Sequence, residues 1–209
     1  MVQVAEQSGL IIDIGEWVLE RACRDRAQWL TAQPDAPLDL AVNVSARQLM
    51  SRDFAATVTR VLSRSGMDPH ALVLEMTETI FIEDGERATT VLREISALGV
   101  RLALDDFGTG FSSLSYLRRL PIDIVKIDQG FIADIGQAST GGAIVAAVTH
   151  LAHVLGLTVT AEGVETQLQR DEITAIGCDF AQGYFYARPM PAADIAALLA
   201  APTRALGQS

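Results

Sequence analysis

Between Ile11 and about Leu30 the apolar residues Ile11, Ile14, Val18, Leu19, Ala22 and Trp29 recur at near-helical spacing, with Glu16, Glu20, Arg21 and Arg24 on the other side. That period predicts an amphipathic surface helix. Six short apolar runs follow and are read as strands: Leu38–Val42, Leu72–Leu74, Val100–Leu104, Ile122–Val125, Leu157–Ala161 and Phe180–Ala181. Helical patterns lie between them, including Ala88–Leu98 ended by Gly99, Ala143–Leu155 ended by Gly156 and Thr166–Ile176 ended by Gly177. A glycine just past a helix supplies the left-handed cap. Strand and helix thus alternate at intervals of roughly 20 to 36 residues, the spacing of parallel βαβ units.

Each predicted strand closes on a polar group: Asn43, Glu75, Asp105 with Asp106, Lys126 with Asp128, Glu162 and Gln182. In a (β/α) barrel all C-terminal strand ends converge on one face, whereas an open doubly wound sheet spreads them along a line. The expectation is therefore an α/β chain forming a TIM-type (β/α) barrel. Eight strands close such a barrel, six are found, and the chain opens with a helix, so the barrel reads as incomplete and lacking about its first two strands. Residues 1–201 read as one partial domain that starts from the second helix, and residues 202–209 as a flexible tail.

Composition narrows the partners. With 209 residues, 49% of them hydrophobic, the chain can bury a substantial single core. A net charge of −10 and a pI near 4.7 argue against nucleic-acid polymers and anionic membrane surfaces, because no Lys/Arg cluster exists to neutralise a phosphate chain. A small phosphorylated ligand is compatible if metal ions supply positive charge. Cys23 and Cys178 form no CxxC motif and read as reduced thiols of a cytoplasmic protein. The N-terminus has no signal-peptide pattern, and the apolar stretch from Gly142 to Val159 is interrupted by Thr149, His150, His153 and Gly156, so no membrane contact is expected.

The sharpest chemical signal is Asp105-Asp106 followed by Phe107-Gly108-Thr109-Gly110. An Asp-Asp pair in a loop is usually a solvated turn or a helix N-cap. Delivered by a buried strand, however, two adjacent carboxylates repel by several kcal/mol in a low dielectric unless water, protons or cations compensate them. A divalent metal site follows. Oxygen donors such as Asp, Glu and Asn suit Mg²⁺ or Mn²⁺, and no His or Cys stands at the strand ends to favour zinc.

Asn43-Val44-Ser45, Glu75-Met76-Thr77-Glu78, Asp105-Asp106-Phe107-Gly108-Thr109-Gly110-Phe111-Ser112-Ser113, Lys126-Ile127-Asp128, Ala161-Glu162-Gly163-Val164-Glu165 and Gln182-Gly183-Tyr184 together resemble the EAL-domain phosphodiesterases of bacterial cyclic di-GMP signalling. The resemblance runs from about Val4 to Leu199. It implies a hydrolase that opens cyclic di-GMP to pGpG with two Mg²⁺ or Mn²⁺ ions. Asn43, Glu75 and Asp105 would hold the first ion, and Asp105, Asp106 and Glu162 the second. Two such ions can bind a phosphoryl oxygen and acidify a shared water. Lys126 would orient that water or stabilise phosphate charge, and Gln182 and Asp128 would contact substrate or metal-bound water. Glu78 and Glu165 would support the ligands from behind, with Glu78 anchoring the loop that carries Thr109 and Gly110. That loop and the helix after it touch a second subunit in the family, so a homodimer is implied.

Bland readings exist for single residues: Asn43 as a helix cap, Lys126 as a snorkelling surface lysine, Glu172 on a solvated helix face. His70, His150 and His153 match no motif and read as structural or solvent-facing. One departure stands out: no Glu-x-Leu motif, whose glutamate completes the first metal site in the family, lies upstream of Asn43. Val4 to Ile11 resembles the interior of a family sequence, so Met1 is expected to be an internal methionine. A weakly active, poorly stable isolated chain is expected. The alternatives are an inactive module of the same fold that binds cyclic di-GMP or a protein partner, and an unrelated enolase-type barrel.

Overall fold

The structure, a computed structural model, describes residues 2–34, 38–108, 117, 119–136 and 140–200. Two helices open the chain, α1 (Val2–Ser8) and α2 (Ile11–Ala32), followed by strand β1 (Leu40–Asn43). Then come α3 (Ala46–Leu49), α4 (Phe54–Ser65), a 3₁₀ turn at Pro69–Ala71, β2 (Leu72–Thr77), α5 (Ile80–Ala97) and β3 (Arg101–Phe107). The second half runs β4 (Ile124–Ile127), α6 (Gln129–Ala133), α7 (Gly141–Val154), β5 (Thr158–Ala161), α8 (Gln167–Ile176), β6 (Phe180–Ala181) and α9 (Ala192–Ala200).

Among the described residues the six strands form one sheet in the order β1-β2-β3-β4-β5-β6, every neighbouring pair parallel. Sequential parallel strands with intervening helices curl one way, giving the incomplete TIM-type barrel with β1 and β6 at its two edges. Central strands are buried on both faces, which explains the unbroken apolar runs: every residue from Leu72 to Met76 is buried. Leu72, Leu74, Met76, Leu102, Leu92, Ile95, Val58 and Val61 belong to the core cluster between sheet and helices. At its open edge β6 leaves Phe180 60% exposed.

All six predicted strands exist, with shifted ends. β2, β3 and β4 run past the apolar residues to include Glu75, Asp105, Asp106 and Lys126, because ladder pairing continues into the charged positions. Helix α5 begins eight residues before the predicted Ala88 and kinks at Asp84, which leaves helical geometry (φ −153°, ψ 80°). Asp84 Oδ1 accepts from the amide of Arg87 at 3.1 Å and so restarts the helix, which is why only the second segment showed a clean period. The tail assigned to 202–209 and the loop residues Thr109 and Gly110 lie outside the described residues.

Candidate metal and phosphodiester site

Strand alternation sends residues two apart to the same face, so Glu75 on β2, Asp105 on β3 and Lys126 on β4 sit on faces set by the ladder. The register places Asn43 beside Glu75 and Glu75 beside Ala103. Glu162 follows β5 directly, its amide donating to Ile127 O at 3.1 Å, and Gln182 follows β6, its amide donating to Ala161 O at 2.9 Å. Both loops are thereby fixed onto the strand before them.

The Lys126 ammonium lies at the centre of the cluster. Its Nζ stands 2.7 Å from Glu75 Oε2, 3.1 Å from Asp105 Oδ1 and 2.5 Å from Glu162 Oε1. Lys126 is only 4% exposed, which rules out a snorkelling surface lysine. Gln182 Nε2 donates to the same Glu162 Oε1 at 2.7 Å. Burial alone would lower the lysine pKa, but its hydrogen bonds to Glu162 and Glu75 outweigh that and hold it above the ordinary range.

Asp105 and Asp106 occupy strand positions, not the turn or helix cap that a bland reading allowed. Adjacent residues in a regular strand point to opposite faces. Here the β3–β4 register shifts between Leu104 and Phe107, and Asp106 adopts φ 53°, the one non-glycine left-handed residue among those described. That bulge breaks the alternation. Carboxylate oxygens of Asp105, Asp106 and Glu162 consequently all lie within 4.8 Å of one another. Desolvation raises the pKa of Glu75, Asp106 and Glu162, most of all by burial, and the neighbouring Asp105 charge adds to it at each. Such a concentration of oxygen donors fits a hard divalent cation.

The remaining predicted residues surround this centre. Glu78 Oε1 accepts from Gly108 N at 3.3 Å, tying β2's exit to the loop after β3. Asp128 Oδ1 accepts from Gly130 N at 2.9 Å, capping α6, and adds negative charge beside Asp106. Asn43 ends β1 exposed, with no side-chain hydrogen bond among the described residues, and helix capping there falls to Ser45, whose hydroxyl and Gln48 form a reciprocal box. Glu172 is exposed on α8, and all three histidines are exposed. His153 Nε2 contacts Asp179 Oδ2 at 2.9 Å, away from the site.

A cleft of about 510 Å³ opens over the cluster, lined by Asp106, Asp128, Glu162, Glu165 and Gln182 together with Gly183, Tyr184 and Arg188. Two contributors escaped the sequence reading. Buried Gln169 accepts from Glu165 N at 2.8 Å and Thr166 N at 3.0 Å and donates to Ile132 O at 3.2 Å, joining the loop after β5 to α6. Arg188 reaches the cleft from the loop after β6. Neither follows from periodicity, since each depends on which loops pack together.

The EAL domain family model matches residues 1–189. The chain belongs to the EAL domain family. It is 43% identical over 197 residues to the bifunctional diguanylate cyclase/cyclic di-GMP phosphodiesterase MucR of Pseudomonas aeruginosa, covering 94% of this chain but 29% of MucR. Among solved structures, the PaMucR phosphodiesterase in complex with c-di-GMP aligns with TM-score 0.88 at 42% identity, covering 93% of this chain and 78% of that one. The manganese/cy-diGMP complex of Klebsiella pneumoniae BlrP1 aligns with TM-score 0.70 at 31% identity, covering 81% of this chain and 43% of that one. No helix of the described residues is long and apolar enough to cross a membrane.

Proposed function

We propose that this chain hydrolyses one phosphodiester bond of cyclic di-GMP to give linear pGpG, using two Mg²⁺ or Mn²⁺ ions, and does so weakly, since no Glu-x-Leu glutamate completes the first ion's site. The observation that carries the reading is the convergence of Glu75, Asp105, Asp106 and Lys126, from β2, β3 and β4, with Glu162, which follows β5, on one cluster beside a cleft. Asn43, Glu75 and Asp105 would hold one ion, and Asp105, Asp106 and Glu162 the other; bound there, such ions would supply Lewis acidity to the phosphoryl oxygen and to the attacking water.

The chain's own groups do the rest. Lys126 fixes the orientation of three carboxylates at once and lends positive charge to a phosphate that brings negative charge into an acidic cleft. Gln182 holds Glu162 by its shared oxygen, and Glu78 steadies the backbone at Gly108. Asp128 and Glu165 line the cleft near the reacting groups. In the overall change, water oxygen forms a bond to phosphorus, one ribose ester bond breaks, and the proton ends on the departing ribose hydroxyl. The protein acts in the cytoplasm as a homodimer, with residues 1–201 as the EAL unit.

The test incubates the chain with cyclic di-GMP and Mn²⁺ and follows pGpG by chromatography. Glu162→Gln should abolish turnover while leaving the chain folded. An unaffected rate refutes the metal assignment, and binding without turnover points to a non-catalytic module.

A further inference from the structure

Asp106 holds a left-handed backbone at φ 53°, a conformation that an aspartate keeps only where the surrounding structure imposes it. On the strand side the β3 ladder imposes it. On the loop side the constraint falls on the next two residues. Phe107 is buried and pairs with Ile127 of β4, and Gly108 is gripped from two directions. Its amide donates to Glu78 Oε1 at 3.3 Å, and its open side meets the ring of Phe131. A Cβ at Gly108 would come within 2.8 Å of Phe131 Cε2 and 3.1 Å of Cζ, and the residue has φ 99°, so ring and backbone both demand glycine.

Phe131 stands on α6, half-buried and packed against the core, beside the fully buried Ile132. The helix is held in turn by Asp128, which caps it through Gly130 N at 2.9 Å, and by Gln169 Nε2, which donates to Ile132 O at 3.2 Å. The next loop round the sheet rests on the same helix. Gly163, directly after Glu162, has φ 71°, and a Cβ there would lie 2.5 Å from Gln129 Cβ and 3.2 Å from Gln129 Cα. One short helix thus seats both the loop after Asp105 and Asp106 and the loop after Glu162. These are the three residues whose carboxylate oxygens lie within 4.8 Å of one another.

We propose that Phe131 is a positioning residue for the Asp105, Asp106 and Glu162 carboxylates, its ring fixing the Gly108 backbone and with it the distance from the aspartate pair to Glu162, an inference that rests on the two-ion reading above. Phenylalanine offers no ligand atom, so its effect on an ion passes through Gly108. A smaller apolar side chain would keep α6 on the core but leave Gly108 without the ring beside it. The aspartate pair could then relax toward regular strand geometry, in which adjacent side chains point to opposite faces. Groups that orient metal ligands from behind typically change metal affinity or activity by about 10- to 100-fold.

Calorimetric titration of the full chain with Mn²⁺, paired with thermal melts of the metal-free chain, tests this. Phe131→Leu should weaken Mn²⁺ binding about tenfold or more at a temperature where circular dichroism shows it folded. Phe131→Met, which refills more of the volume without the flat ring edge, should fold at least as well and still lose about threefold or more. Ile95→Val, a fully buried change on α5 before β3 begins, should lower the melting temperature yet leave Mn²⁺ affinity within about twofold of wild type. Gly108→Ala should weaken binding about tenfold or more, and at least about threefold less than that in the Phe131→Leu background, where the ring its methyl group meets is gone. Phe131 variants that melt lower yet bind Mn²⁺ as wild type does assign the ring to the core alone and overturn the inference. Strictly additive effects of Phe131→Leu and Gly108→Ala overturn it too, since the ring would not act through Gly108. A wild-type chain that takes up no Mn²⁺ overturns the two-ion reading and this inference with it, an outcome read from the wild type alone.

Discussion

Lys126 Nζ lies 2.5 Å from Glu162 Oε1, and the lysine is buried while two further carboxylates share it. One buried cation thus neutralises part of a cluster that would otherwise repel itself. Removing one partner of a buried ion pair costs about 3–5 kcal/mol, because the remaining charges stay desolvated. Lys126→Met should therefore destabilise the metal-free chain by about 3 kcal/mol and reduce turnover more than tenfold. Melting curves with and without Mn²⁺ provide the check, since added cation should recover more stability in the variant than in wild type. An equal Mn²⁺ increment in both would show that the lysine does not compensate those carboxylates.

The raised pKa values of Glu75, Asp106 and Glu162 set a pH dependence. The folded state binds protons at these groups more tightly than the unfolded chain does. Their stabilising contribution is full below the ordinary carboxylate range and is lost as pH rises through the raised values. Cations compete for the same oxygens, so metal affinity moves the opposite way. As pH rises from the ordinary carboxylate range through the raised values, the metal-free chain should lose stability from these groups while the Mn²⁺-induced rise in melting temperature grows. Asp179, lowered through His153 and the Val159 amide despite opposing desolvation, contributes stability that disappears only at more acid pH, outside this window. A Mn²⁺ increment that is flat with pH would contradict the assignment.

Asp106 combines a left-handed backbone with like-charge neighbours. Both features cost stability and both serve to bring adjacent carboxylates to one place. Asp106→Gly removes the steric cost and the charge together, and should raise the metal-free stability by about 0.5–1 kcal/mol. The same change should weaken Mn²⁺ binding and cut turnover sharply. Paired thermal melts and Mn²⁺ titrations decide it: a variant that loses stability has a bulge held for structural reasons alone.

The barrel was legible because its strands are buried on both faces and so stand out as apolar runs, and because Asn43, Glu75, Asp105, Lys126, Glu162 and Gln182 follow or end those runs. The ladder's continuation through Glu75 and Lys126 was not legible, since charged residues inside a strand carry no strand signal until a partner neutralises them. The bulge at Asp106 was hidden for a related reason: an Asp-Asp dipeptide fits a turn as well as a distorted strand. Arg188 and Gln169 stayed invisible because their environments are made by loops distant in sequence. Gln169 is one more polar residue in the helical pattern Thr166–Ile176, yet it is buried and spends its oxygen on two amides and its nitrogen on a carbonyl.

That amide leads to a final prediction. Gln169 joins the loop that follows Glu162 to α6, whose start is capped by Asp128, so one side chain couples two walls of the cleft. Gln169→Leu leaves two part-buried amides without their acceptor and takes one of the donors from Ile132 O, which keeps the Ile135 amide, and this costs about 1–3 kcal/mol. Gln169→Glu keeps an acceptor for the amides of Glu165 and Thr166 but gives up donation to Ile132. If the residue positions the site, Gln169→Leu should lower kcat with a smaller change in KM at a temperature where the chain is still fully folded, and Gln169→Glu should recover most of kcat. Loss of stability in both variants with kcat intact at that temperature would assign Gln169 to the scaffold alone.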